Sequence, residues 1–347
     1  MPNINTLQFN ELIGSGENLF VIQCSGGLGN NIGGFFSGLD YYIKFELYKS
    51  HKLVLISVAD DPGDFILSDF FDFNDKIYYK GCRIGDSWGD GLNLAEFRQF
   101  PHPYNHMNDT SCYKDRLLLH STNQLFVTSK DHIHKAIQLF SLTIKQNIIQ
   151  PIKEIILKNN INKNTLGIHY RATDLQSTSA NLKCILSLLK KQGKAGTYMC
   201  QPMSISSCPT YNTLRKWLNI SQIMIPKYHF ETPIESKKEY DNIFICSDNP
   251  EFENNCASKF GAIIIQKKHK VVKKKGYENY DWCLNYDPTQ PDNKQISKWY
   301  NVYRSKEQCI EGFIDCYILG YCSVSVINNL TTFGVLGIFL NQLFPID

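Results

Sequence analysis

A chain of 347 residues is long enough for two ordinary domains, each with its own core. With 36 basic and 33 acidic side chains its net charge is only +3, which argues against a nucleic-acid partner, while 43% hydrophobic residues place it among globular proteins. The 12 cysteines are scattered singly with no C-x-x-C pair, which argues against a disulfide framework or a zinc site and predicts reduced, buried thiols in a cytoplasmic protein.

The amino terminus, Met1-Pro-Asn-Ile-Asn-Thr6, has neither a basic region nor a long apolar one, so it reads as neither a secretory signal nor a membrane anchor. Asn18-Leu-Phe-Val-Ile-Gln-Cys24 has the pattern of a buried strand. The glycine-rich turn Ser25-Gly-Gly-Leu-Gly-Asn-Asn-Ile-Gly-Gly34 follows, and residues 35–48 have helical spacing. Strand, turn and helix form the first unit of an α/β lobe of the nucleotide-fold type. Lys52-Leu-Val-Leu-Ile-Ser-Val58 is the next strand, residues 60–108 are aromatic and irregular, and residues 129–158 read as helical. The polar stretch Asn159-Asn-Ile-Asn-Lys-Asn164 then marks a boundary, giving a first lobe over residues 1–160 and a second lobe over 161–347.

The second lobe alternates strands and helices in the manner of a parallel sheet. Strands are predicted around Ile168, over 241–248, 261–265 and 323–328, with helices over 249–260 and 309–321 and a last helix after the turn at 329–334. The apolar run Phe333-Gly-Val-Leu-Gly-Ile-Phe-Leu340 is too short to span a membrane and reads as a buried helix, so no membrane span is expected. The basic run Lys267-Lys-His-Lys270 reads as a solvated loop.

Three strand ends in this lobe carry polar groups: His169, Arg171 and Asp174; Ser247 and Asp248; Asn329, Thr331 and Thr332. Parallel strands put their carboxyl ends on one side, so these groups converge if the strands are neighbours. Arginine offers a rigid fork of donors for phosphate oxygens, although a surface ion pair with Asp174 accounts equally well for Arg171 taken alone. Thr331 and Thr332 can donate to a phosphate at a helix start or simply cap the helix. Asp248 can accept from a base or ribose, or cap the helix beginning near Pro250. In the first lobe, the turn lacks a dinucleotide fingerprint and a phosphate-loop lysine; its glycines permit close backbone approach, and Asn30 and Asn31 can bond sugar hydroxyls or phosphate.

Several segments together resemble a known family. Gly26-Gly-Leu-Gly-Asn-Asn31 resembles the G-G-L-G-N-Q opening of fucosyltransferases, and His169-Tyr-Arg-Ala-Thr-Asp174 resembles their H-x-R-R-x-D signature. Ile243-Phe-Ile-Cys-Ser-Asp-Asn-Pro-Glu251 is similar to their I-F-S-D-D-x-E strand. Asp315-Cys-Tyr-Ile-Leu319 and Asn329-Leu-Thr-Thr-Phe-Gly-Val-Leu-Gly-Ile-Phe-Leu-Asn341 resemble late segments of α1,2-fucosyltransferases, and the order is kept across nearly the whole chain. The superfamily also contains α1,6- and protein O-fucosyltransferases.

The resemblance implies a GT-B fold, two Rossmann-like α/β lobes facing across a cleft, with GDP-fucose as donor substrate, a glycan as acceptor, and neither metal nor cofactor. It implies an inverting transfer in which Arg171 meets the donor diphosphate and Asp174 either acts as base or orients Arg171. His169 and Asp248 lie near the nucleoside, Thr331, Thr332 and Phe333 form the phosphate-side turn, and Gly27, Gly29, Asn30 and Asn31 cover the donor. Ala172 stands where the family has a second arginine, Gly334 where it has a second serine, and Leu175, Gln176 and Ser177 where α1,6 enzymes carry a Lys/Glu pair. These departures lean away from α1,6 transfer and leave two other readings open: another nucleotide-sugar donor, or a catalytically silent glycan- or nucleotide-binding protein.

Overall fold

Near-continuous apolar runs such as residues 19–24 and 52–58 suit strands buried on both faces, the condition of a parallel sheet covered by helices. The computed structural model has this architecture. It describes residues 4–59, 63–83, 94–99, 115–121, 127, 129–162, 164–170, 241–247, 250–268, 272–273, 302–322, 324–326 and 332–346. The chain divides into two compact units, Met1–Ile148 with Arg304–Ile310, and Ile149–Tyr303 with Glu311–Asp347.

The first unit opens with α1 (Thr6–Gly14), started by a reciprocal capping box in which Asn5 and Gln8 each accept the other's backbone N–H at 2.9 Å. Then come β1 (Leu19–Cys24), α2 (Leu28–Lys44), β2 (Lys52–Val58), β3 (Phe71–Asp72), β4 (Ile77–Cys82), β5 (Arg98–Gln99), β6 (Leu117–Ser121), α3 (Lys130–Phe140) and β7 (Thr143–Ile144). The main sheet runs β4-β2-β1-β6-β5 with every pairing parallel, while β3 and β7 form a small antiparallel pair. From β1 the chain steps outward to β2 and β4, then crosses to the other side of β1. Helix α2 lies close on β1 because Gly38 has no side chain: a Cβ there would come within 2.6 Å of Ile22. Residues 304–310 are fastened to this unit by the Arg304 carbonyl, which accepts from the Asp64 N–H at 2.9 Å, and by Lys306, 3.0 Å from the buried Asp69.

Two expectations for this unit are corrected. Helix α2 begins at Leu28, inside the glycine-rich segment, rather than near residue 35. Ile32, Phe35, Phe36 and Leu39 are fully buried at helical spacing, and that burial outweighs the roughly 1 kcal/mol that each interior glycine costs a helix. The single helix expected over 129–158 is two, because Ser141 turns left-handed (φ 49°) and β7 intervenes before α4 (Gln146–Lys158).

In the second unit β8 (Thr165–Tyr170), β9 (Asn242–Ser247) and β12 (Val324–Val326) form a parallel sheet in the order β12-β8-β9. Ile263 adds a single parallel bridge to Phe244 on the far side of β9, in place of the full strand expected over 261–265. A separate antiparallel pair joins β10 (Val272–Lys273) and β11 (Val302–Tyr303). The helices are α5 (Pro250–Phe260), α6 (Lys306–Tyr321) and α7 (Thr332–Leu343). Here too the chain steps outward from β8 to β9 and Ile263, then returns to the opposite side of β8. Helices α6 and α7 cross at two glycines, Gly320 and Gly337, where a Cβ on either would run into backbone of the other helix at less than 3.0 Å. Leu336, Phe339 and Leu340 of α7 are buried, as the apolar run predicts. No helix among the described residues is long and apolar enough to cross a membrane.

Candidate functional site

In both parallel sheets strands are added on one side of the first strand and then on the other, and in open α/β sheets ligands commonly bind beyond the carboxyl ends of the strands at such a switch point. In the first unit the switch point lies between β1 and β6, and the residues leaving β1 there are the glycine-rich turn. Gly26 takes φ +90°, which an L side chain resists, and Gly27 caps α2 without any side-chain bond. The start of α2 therefore presents backbone N–H groups and the positive end of the helix dipole at the sheet edge. Gly29 is buried and Asn30 half-buried in the first turn. Asn31 is fully buried; its amide donates to the Val58 carbonyl at 3.2 Å, tying α2 to the end of β2, and its Oδ1 has no partner among the described residues.

In the second unit the switch point lies between β8 and β12. Tyr170, the last residue of β8, pairs with Ser247, the last of β9, so the strands leading into Arg171 and Asp248 are direct neighbours. On the other side Val326 pairs with Ile168, and the chain beyond β12 leads to α7, whose first residue is Thr332. The strands that lead to the three polar segments are thus neighbours, which is the condition under which those segments would converge. His169 is buried, 7% exposed, and its ring stacks on Phe333 with centroids 4.8 Å apart. Phe333 is held in turn by its carbonyl, which accepts from the Cys316 thiol of α6 at 2.9 Å. Arg171, Asp174, Asp248 and Thr331 lie outside the described residues, as does the side chain of Thr332.

A charged cluster that sequence reasoning missed closes the end of β9. The Lys267 ammonium lies 2.8 Å from Glu253 Oε1 on α5, 3.1 Å from Asp315 Oδ2 on α6, and 2.6 Å from the Ser247 carbonyl. Glu253 also accepts the Ser247 N–H at 2.7 Å. Both carboxylates are almost completely buried, and burial holds each above the ordinary carboxylate range despite the attraction of Lys267. Burial opposes the charge of Lys267, yet the neighbouring Asp315 and Glu253 carboxylates outweigh it and raise its pKa. Lys267 had been expected in a solvated loop; the structure corrects this, because its charge balances two buried acids. The usable signal was Asp315, an isolated acid inside the apolar run of α6, among Phe313, Ile314, Tyr317 and Ile318.

The fold defines a class of α/β protein with a parallel sheet in each unit, the strands of the second leading toward the polar segments picked out in the sequence. No known protein family profile matches the chain, and no curated protein matches it. Solved structures that are similar include the fucosyltransferase NodZ from Bradyrhizobium, with 12% identity, covering 95% of this chain and 94% of that one at a TM-score of 0.49. A NodZ α-1,6-fucosyltransferase co-crystallized with GDP has 13% identity, with 95% and 93% covered and a TM-score of 0.48. The same enzyme soaked with GDP-fucose gives 12% identity and 0.47 over the same shares. At this level of identity and superposition the likeness carries no argument, and the architecture stands on the chain's own strand order.

Proposed function

We propose that this protein is an inverting, metal-independent glycosyltransferase that moves L-fucose from GDP-fucose to a glycan hydroxyl. The observation that carries the reading is the neighbour relation of β12, β8 and β9, which brings together the strands that lead to the segments resembling the fucosyltransferase signatures. In the GT-B scheme implied by that resemblance, the second unit, with the stacked pair His169 and Phe333, takes the donor and the first takes the acceptor. The start of α2, whose cap Gly27 supplies no side-chain bond, is suited to an oxygen of the donor.

In the reaction the acceptor oxygen bonds to the fucose anomeric carbon on the face opposite the diphosphate. The bond from that carbon to the β-phosphate oxygen breaks, and GDP leaves with the electron pair. The acceptor proton passes to a base, for which Asp174 is the candidate. The developing negative charge on the diphosphate is met by Arg171 and the helix start after Thr331. Asp248 pairs with the N1–H and N2–H₂ edge of guanine, which uracil cannot match.

The test is turnover with GDP-fucose and a panel of glycan acceptors. Arg171→Ala lowers kcat/KM by about 10²-fold or more, on the order of 3 kcal/mol, and Arg171→Lys restores little. Transfer persists in EDTA. Near-normal turnover of the alanine variant refutes the phosphate role, and loss of transfer in EDTA restored by Mn²⁺ refutes the metal-independent mechanism.

A further inference from the structure

One ring in the second unit is out of keeping with its setting. Phe333 is only half-buried at the start of α7, directly after the polar stretch Asn329-Leu-Thr-Thr332, whereas the apolar residues further along the helix, Leu336, Phe339 and Leu340, are buried in the core. One face of the Phe333 ring is covered by His169, the planes 21° from parallel and the centroids 4.8 Å apart. His169 is its one ring partner among the described residues, so on this side the stack ends at Phe333.

The ring is fixed before any ligand arrives. Its own carbonyl accepts from the buried Cys316 thiol at 2.9 Å, and behind it α7 is seated against α6 by the close crossing at Gly320 and Gly337. His169 is equally well placed, on the central strand of the sheet: it pairs with Cys246 of β9, and the residue before it, Ile168, pairs with Val326 of β12. A ring backed on one face and anchored through its main chain loses little freedom when it meets a partner, which makes it an efficient contact for a flat ligand.

A near-parallel pair of rings is extended most directly by a third flat ring. Of the parts of a nucleotide sugar, the sugar rings are puckered and the diphosphate is charged, so the base is the part that matches the second face of Phe333. Resting on the reading that the second unit takes a nucleotide sugar, we propose that Phe333 is the stacking platform for the nucleobase, with the His169 ring supporting the platform from the opposite face. Stacking reads the face of a base rather than its edge. Phe333 therefore supplies affinity for the nucleoside and leaves the choice between purines to other groups.

The experiment is calorimetry on the full chain with GDP, IDP and inorganic pyrophosphate, joined to tryptophan fluorescence of a Phe333→Trp variant. Phe333→Leu keeps an apolar side chain against His169 but removes the flat face; it weakens GDP and IDP by about tenfold each, while pyrophosphate affinity stays within about twofold. Phe333→Tyr keeps the ring and stays within about threefold of the parent for all three ligands. In Phe333→Trp an indole forms the platform, and a base stacked on it quenches its emission. GDP and IDP lower the fluorescence of this variant well beyond any change in the parent, whose 4 tryptophans lie elsewhere in the chain, and pyrophosphate does not.

The tryptophan variant retains a ring on His169 and carries the test even where leucine destabilises the stack, and quenching is a contact signal that a merely structural role does not produce. A Phe333→Leu protein that binds GDP as the parent does, or that loses all three ligands by equal factors, overturns the proposal. Quenching by GDP-fucose without quenching by GDP overturns it too, because the sugar and not the base would then lie on the ring. A parent protein that binds no GDP overturns the nucleotide-sugar reading itself, and is recognised before any substitution is made.

Discussion

Gly337→Ala tests how α7 is held against the second sheet. The new methyl would lie closer than 3.0 Å to the Cys316 carbonyl of α6, and the obstacle is backbone, which cannot turn aside as a side chain can. The helices must part until carbon and oxygen stand about 3.3 Å apart. That movement lengthens the 2.9 Å bond from the Cys316 thiol to the Phe333 carbonyl and disturbs the stacking of Phe333 on His169 at 4.8 Å. Overpacking of this kind costs about 1–3 kcal/mol, and a loss of about 2 kcal/mol lowers Tm by roughly 4–8 °C in a unit of this size. Because Phe333 at the start of α7 stacks on His169 of β8, where the proposed function puts the donor, GDP affinity is expected to fall along with stability. Urea and thermal denaturation followed by calorimetry with GDP measure both. Gly14→Ala is the control, since a Cβ there meets nothing within 4 Å. A Gly337→Ala protein as stable as the control refutes the tight crossing, and one that is destabilised yet binds GDP normally refutes its connection to the site.

Burial holds the Glu253 carboxyl above its unfolded value, so its stabilising contribution is complete below about pH 4.3 and is lost as pH rises through the folded pKa. The amide in Glu253→Gln does not titrate; the variant's urea midpoint therefore gains on the parent's as pH is raised from acid to neutral, and the opposite slope refutes the assignment. Burial also pushes the Cys246 and Cys316 thiols well above the ordinary range and that of Cys309 up to about 12. Peptide mapping after iodoacetamide at mildly alkaline pH should find these three unmodified in native protein and modified after unfolding; rapid labelling of the native protein at any of them refutes their burial.

Much of the architecture is written locally. The strands at 19–24, 52–58, 165–170 and 242–247 lie where apolar runs predict them, because a strand buried on both faces needs such a run and little else. Other elements left weaker marks. The start of α1 was signalled only by the spacing of Asn5 and Gln8, and β4, with Tyr78 and Lys80 half-buried, lacks an uninterrupted apolar run. The beginning of α2 was hidden by glycines that propensity assigns to a turn; only burial against β1 makes them helical. The polar residues that follow the buried strands were likewise visible, since they interrupt a local pattern.

Which strands are neighbours was not legible, because pairing joins residues as far apart in sequence as Tyr170 and Ser247 and depends on the whole sheet. The buried cluster was less visible still. Lys267 looks like one member of a basic run, Glu253 like one of several polar residues in a short helix, and Asp315 like an interruption in an apolar one. Their meaning comes from distances of 2.8 and 3.1 Å between side chains supplied by separate segments. The sequence by itself determined where the long apolar strands at 19–24, 52–58, 165–170 and 242–247 lie and which polar residues follow them. Only the tertiary structure decided which strand ends share an edge and which charges are buried together, since hydrophobic patterning is local in the chain whereas desolvation and ion pairing act between groups that folding alone makes neighbours.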